Sequence, residues 1–304
     1  MAKVKTFFKA FLMMLLVLPV MLVFTACGSQ LDQEADCKTT GKFTASDMTS
    51  FENTLSTNEQ NATSFGGDAG YRLTMKMTAN GSLLDQNYSM SMYGNVIAKN
   101  LAEVGKEEMA AKLTMEINTL QMSGKATQEA FLKDQKIYIH VLPTTITAGS
   151  VKTEIADTKV VINSAEYATP DYVFGQLNAV QDGLTDVESV LALVKENAND
   201  ATVEIVNNKD KQYKITFNNQ VAGLTNVVMY FNFKQDTDGK DNLFSLKVEA
   251  DYTTEMGTGA TDESVPIEMS GKISFTLQGF GGDIQYPVLT SGWTASDEAP
   301  NLFG

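Results

Sequence analysis

The chain is expected to fold as an α+β domain, mainly β, with an antiparallel sheet whose dry face is covered by helices. Three observations lead there. From Tyr71 onward most segments alternate apolar and polar residues with a period of two, the pattern of antiparallel strands with one dry and one wet face. Two segments instead space their apolar residues three and four apart, the pattern of helices. A helix laid on one side of such a sheet is the simplest way to cover its dry face.

The first element is a leader. Residues 1–9 are basic, with Lys3, Lys5 and Lys9, and Ala10 to Ala26 carry no charge. This is the n-region and h-region of a signal peptide, with Pro19 placed to break the run before the processing site. The alternative is an uncleaved anchor, since roughly 17–25 apolar residues span a bilayer. The run ends in Phe24-Thr25-Ala26-Cys27-Gly28, which resembles the lipobox of bacterial lipoproteins. The resemblance implies a diacylglyceryl group on the Cys27 thiol, further acylation such as palmitate, and cleavage before Cys27. Ala26 and Gly28 are the small residues such a cut requires, and Phe24 stands where leucine is usual. Several acyl chains hold a protein at a membrane far better than one, at about 0.8 kcal/mol per buried CH₂.

Residues 27–45 are polar and aperiodic after the cysteine and are expected to form a tether. With Cys27 acylated, Cys37 has no intramolecular partner, so no disulfide is expected. Met48, Phe51 and Leu55 predict a short amphipathic helix over 46–55. Residues 56–70 are Asn-, Thr-, Ser- and Gly-rich and read as loop.

Tyr71, Leu73, Met75 and Met77 open the strands, with a turn expected at Asn80-Gly81. Tyr88, Met90 and Met92 follow, then Leu113, Met115 and Ile117. Residues 130–141 read as a hairpin turning at Lys133 to Gln135, and the stretch from there to about 169 is less regular. Pro170 opens a helical region in which Thr185 and Glu188 form a capping box and Val187, Val190, Leu191 and Val194 line one face. Strands resume at Val203 and Ile205, then at Tyr213, Ile215 and Phe217. Val227, Met229, Phe231 and Phe233 come next, with a turn through Asp236 to Asn242. Phe244, Leu246, Val248, Ala250 and Tyr252 form another strand, and Ile267 to Leu277 the last. The tail over 289–304 reads as loose.

The charge is −14, and removing the three leader lysines leaves −17. So acidic a chain repels phosphate backbones, which argues against nucleic-acid binding. Arg72 is the only arginine and His140 the only histidine. A zinc site built on a histidine pair is thereby excluded, as is H-E-x-x-H. No G-x-S-x-G occurs, and His140 has no nucleophile signature beside it. It reads as a strand histidine on the wet face. Asp236-Thr237-Asp238-Gly239-Lys240-Asp241 lacks the spacing and terminal glutamate of an EF-hand loop and reads as a hairpin turn. No cofactor, metal site or catalytic residue is expected, and the protein is not expected to be an enzyme.

Two local patterns, F-L-K-D-Q-K-I-Y-I at 131–139 and F-T-L-Q-G-F-G-G-D-I-Q-Y-P at 275–287, together with the order of elements over 46–288, resemble the LolA/LolB/LppX-like group of bacterial envelope proteins, in particular Gram-positive and mycobacterial members. The resemblance implies a curved antiparallel sheet, an open half-barrel, with helices covering the concave face. It also implies a cavity for acyl chains or a lipidated protein.

The expected organisation is then a signal peptide over 1–26, the lipidated Cys27 and tether over 27–45, the domain over 46–288 and a loose tail over 289–304. The expected function is that of a lipoprotein anchored in the cell envelope and facing outside the cytoplasm. It would bind an apolar ligand, either an acyl lipid or a lipidated partner. Candidate ligand-lining residues are Leu73, Met75, Met77, Met90, Met92, Leu113, Met115, Phe231, Phe233, Phe244 and Leu246, because flexible methionines suit a surface that repacks around variable ligands. The alternative is a surface interaction or structural lipoprotein in which these residues are plain core.

Overall fold

The computed structural model describes residues 30–33, 44–45, 51, 53–54, 70–83, 86–100, 106–119, 122–162, 196, 201–206, 211–221, 224–235, 241–257 and 266–296. The leader and Cys27 lie outside them, as do residues 163–195 and 297–304. Among the described residues no helix is long and apolar enough to cross a membrane.

The strands are β1 (Thr44–Ala45), β2 (Gly70–Leu83), β3 (Gln86–Lys99), β4 (Glu108–Asn118), β5 (Met122–Lys133), β6 (Lys136–Val141), β7 (Thr144–Ala148), β8 (Val151–Ile155), β9 (Thr158–Ile162), β10 (Ala201–Val206), β11 (Gln212–Phe217), β12 (Thr225–Gln235), β13 (Asp241–Gly257), β14 (Pro266–Gly279) and β15 (Thr294–Ser296). All belong to one sheet, in the order β1-β10-β11-β12-β13-β14-β2-β3-β4-β5-β6-β9-β15, with β7 and β8 branching from β5. The order runs from one end to the other without returning, so the sheet is open. Two meanders, β2 to β6 and β10 to β14, are joined where β14 pairs with β2 from Met269↔Gly81 to Gly279↔Tyr71. Only β15 runs parallel to its neighbour, β9.

Side chains alternate across the pleat, and the register assembles them into rows. One row crosses eleven strands as Val160, Ile139, Ala130, Ala111, Val96, Leu73, Leu277, Leu246, Phe231, Tyr213 and Ile205. From Ile139 to Tyr213 it forms part of a single large buried apolar cluster on one face, with Val160 packed against it. On the opposite face Ile97, Ala110, Phe131, Leu31 and Ile284 form a smaller buried cluster, against which Phe280, Tyr286, Leu289 and Trp293 pack.

The expected α+β class is corrected. The described residues are strand nearly throughout, and no helix covers the sheet among them. Phe51, Asn53, Thr54 and Glu196 have helical backbone. The rest of the expected 46–55 helix, and the helical region from Pro170 through the capping box at Thr185 and Glu188, lie outside the described residues. The sheet is instead larger than expected. The less regular stretch after Pro143 forms β7, β8 and β9. Its β8 is exposed at Val151, Lys152, Thr153 and Glu154, so it has no dry face to impose alternation.

Two further expectations change. The Asn80-Gly81 turn does not form: β2 runs through it to Leu83, with Gly81 opposite Tyr88 and Met269. The strand continues past the glycine, and the hairpin closes after Leu83↔Gln86. Nor is the tail loose from residue 289. Leu289 and Trp293 pack on the smaller cluster, and Thr294–Ser296 pairs with β9. The β5–β6 hairpin turns at Asp134-Gln135, where both residues have positive φ of 52° and 59°, as a two-residue type I′ turn requires.

Candidate functional site

The apolar face differs between its two meanders. On β11 to β13 it carries Tyr213, Phe231, Phe233, Met229 and Leu246. Phe51 stands edge-on to Tyr213 and Phe231, with ring centroids 5.2 and 5.0 Å away. The Thr54 and Tyr213 hydroxyls share a hydrogen bond of 2.6 Å. Large rings fill this half.

On β3 to β5 the same face is paved with small residues. Gly94, Ala98, Ala111 and Ala130 are all buried. The Met75 methyl leans over Gly94, where an added Cβ would lie 3.5 Å from Met75 Cε and 3.8 Å from Leu113 Cδ1. In this floor stands Gln128, between Leu113 and Val141 in register. Its side chain is 2% exposed, and neither its Nε2 nor its Oε1 has a hydrogen-bond partner among the described residues. The Tyr71 hydroxyl is also buried without a partner there, and burial pushes its pKa well above the ordinary range. Each unpaired buried polar group costs about 1–3 kcal/mol, so these two stand out on an apolar surface.

Of the sequence-derived candidates, Leu73, Met75, Met92, Leu113, Phe231, Phe233 and Leu246 lie buried in the one cluster, with Met77 and Met115 packed at its margin. Met90 sits apart, against Ala79, Tyr88 and Met269. Phe244 is not brought to the face. It falls in the register shift opposite Asn232 and Phe233, and its half-buried ring lies under Lys234 Nζ. Gln128 is not legible in the sequence because a polar residue at an alternating position breaks the apolar pattern, whereas Tyr71 fits that pattern through its ring and hides its buried hydroxyl.

The opposite face holds a polar row running Thr74, Asn95, Lys112, Glu129, His140 and Lys159. His140 lies in a strand on the polar face, as expected, but it is not exposed there. It is buried, with Nδ1 2.6 Å from Glu129 Oε2 and Nε2 2.6 Å from Asp157 Oδ1, and it meets the Trp293 ring edge-on at 6.5 Å. Two carboxylates hold both ring nitrogens, so the imidazole serves as a clamp joining β5, β6 and the residue just before β9. Among the described residues no group of acidic, histidine or cysteine side chains is arranged to hold a metal ion, and the Asp236–Lys240 turn lies outside them.

Within the stretch expected to be a tether, Gln30–Gln33 is docked on this face. Leu31 is 2% exposed. Buried Asn95 donates from Nδ2 to the Leu31 and Gln33 carbonyls at 2.8 and 2.6 Å, and Arg72 donates to the Gln30 carbonyl at 3.2 Å. Lys112 pairs with Asp32 at 2.6 Å. The Gln30 side chain donates to the Asp283 carbonyl and accepts from the Gln285 amide.

The geometry defines an all-strand open sheet with one apolar face and one strapped polar face. No family model matches the chain, and no curated protein matches it. Among solved structures it is similar to the crystal structure of a DUF1329 family protein from Desulfovibrio piger ATCC 29098. That likeness is at 10% identity over 80% of this chain and 94% of the other, with a TM-score of 0.19, too slight to carry an argument about fold or function.

Proposed function

We propose that the chain is an envelope lipoprotein of the LolA/LolB/LppX-like kind, exported and held at the membrane by an acylated Cys27, whose sheet binds an acyl lipid or a lipidated partner. The observation that carries the ligand reading is the floor of β3 to β5, where Gly94, Ala98, Ala111 and Ala130 share the face with the buried amide of Gln128, which has no hydrogen-bond partner among the described residues. Small residues leave height above a sheet for apolar chains, and a buried amide supplies the single polar contact that orients an amphiphile in an otherwise apolar site. The methionines beside it, Met75, Met92 and Met115, can repack around chains of different length. We assign no catalytic step, since the one histidine is engaged on both nitrogens.

A second reading, an interaction or structural lipoprotein without ligand, draws on the ring-filled half under Phe51. Mass spectrometry of the domain lacking Cys27, purified from a lipid-rich host, separates the two. Stoichiometric lipid in native spectra and organic extracts supports carriage. A folded, stable domain without lipid turns the reading to the second.

A further inference from the structure

The docked segment bears on how the molecule meets its membrane. Cys27 precedes Gln30 by three residues, and three residues of extended chain span at most about 11 Å. The headgroup layer of a leaflet is roughly 5–8 Å thick. A lipid on Cys27 therefore brings Gln30 to the level of the headgroups, together with whatever Gln30 touches. Asp283 and Gln285 are bonded to it directly. Three residues beyond Gln285 comes Val288, which is 70% exposed. Among the described residues only Val151 is comparably exposed as a large apolar side chain, and it belongs to β8 at the far branch of the sheet. Around the docked segment Arg72, Lys99 and Lys112 are largely buried, and the two lysines pair with the exposed Asp283 and Asp32, so the local charge is close to balanced.

We propose that the surface formed by Gln30–Gln33 and the Asp283–Val288 strap is the bilayer-contacting face of the protein, with Val288 entering the acyl boundary beside the anchor and the apolar face of the sheet turned away from the membrane. This rests on the lipidation of Cys27. The docking contacts leave only Gly28 and Ser29 between anchor and domain, so the domain sits on the membrane in one orientation instead of swinging on a long tether.

The test uses the full-length lipidated chain, with Cys37→Ser, in vesicles of phosphatidylethanolamine and phosphatidylglycerol. A fluorophore is placed through Val288→Cys in one protein and Val151→Cys in another, and bromine- or doxyl-labelled lipids are added as quenchers. Mass measurement of the N-terminal peptide reports lipidation separately. Loss of fluorescence at 288 but not at 151 is the expected result. Removing the docking contact with Asn95→Ala is expected to weaken the quenching at 288 without changing the peptide mass. An unlipidated peptide overturns the anchor reading itself. A lipidated protein quenched equally at both sites, or at neither, overturns the orientation while leaving the anchor intact.

Discussion

Glu129 faces His140 across the β5–β6 hairpin, its Oε2 2.6 Å from the ring Nδ1 and its side chain 2% exposed. Lys112 and Lys159 flank the pair in the same row, and Asp157 closes the far side of the ring. Burial raises the Glu129 carboxyl above its usual range, and His140 and the two lysines pull it back only in part. A carboxyl whose folded pKa is raised binds its proton more tightly folded than unfolded. Its contribution to stability is therefore full below the unfolded value, about 4.3 for glutamate, and is lost as pH rises through the folded value. The Tm advantage of wild type over Glu129→Gln is expected to shrink as pH rises from about 4 to 8. Thermal melts across that range check it, and an advantage that grows with pH would reverse the sign.

Gln128→Leu removes two buried polar atoms that have no partner among the described residues, while keeping the bulk. Each costs about 1–3 kcal/mol where it is, so the variant is expected to be as stable as wild type or more so. It is also expected to lose co-purifying lipid. Melting and lipid extraction on the same preparation read both effects. A variant markedly less stable than wild type would show that the amide is satisfied.

Gly271 lies in the seam between the meanders, opposite Ala79 and Tyr252. A Cβ there would stand 1.7 Å from the Thr78 carbonyl oxygen, a backbone atom that cannot turn aside. Gly271→Ala is expected to destabilise by about 3 kcal/mol, the upper range for overpacking, as read by urea unfolding. Gly94→Ala, whose new methyl meets only Met75 and Leu113 at ordinary contact distances, serves as the tolerated control.

Phe51 is fully buried and joins the ring cluster far from its place in the chain. Phe51→Ala is expected to cost about 3–5 kcal/mol, as for other buried aromatic truncations. A loss below about 1 kcal/mol would place the ring outside the core.

The strands carrying the apolar face were legible because each has one dry side. That condition marks out Leu73 to Met77, Met229 to Phe233 and Leu246 to Tyr252. Where it fails, the pattern is silent. Strand β8 is wet on both sides, and Asn80-Gly81 looks like a turn until the strands that pair with Gly81 on either side are known. Leu31, Ile284 and Trp293 pack without any period, because an irregular strap touches the sheet wherever its course allows. The Glu129–His140 pair is within reach of the sequence, since a two-residue turn at Asp134-Gln135 puts residue 129 opposite 140. Asp157 could not be found that way, since β9 reaches β6 only after the β7–β8 branch.

The seam between β14 and β2 sets the order in which the molecule can assemble. Within each meander neighbouring strands are close in sequence, whereas the seam joins residues about two hundred apart, and closing a loop that long costs roughly 3 kcal/mol more than closing a hairpin. The two ladders are thus expected to condense first as separate cooperative units and to zip together late, as non-local pairing generally does. Pulsed hydrogen exchange during refolding would then find the amides between β2 and β14 protected after those between β2 and β3 or between β13 and β14. Simultaneous protection would mean that the sheet forms in a single event.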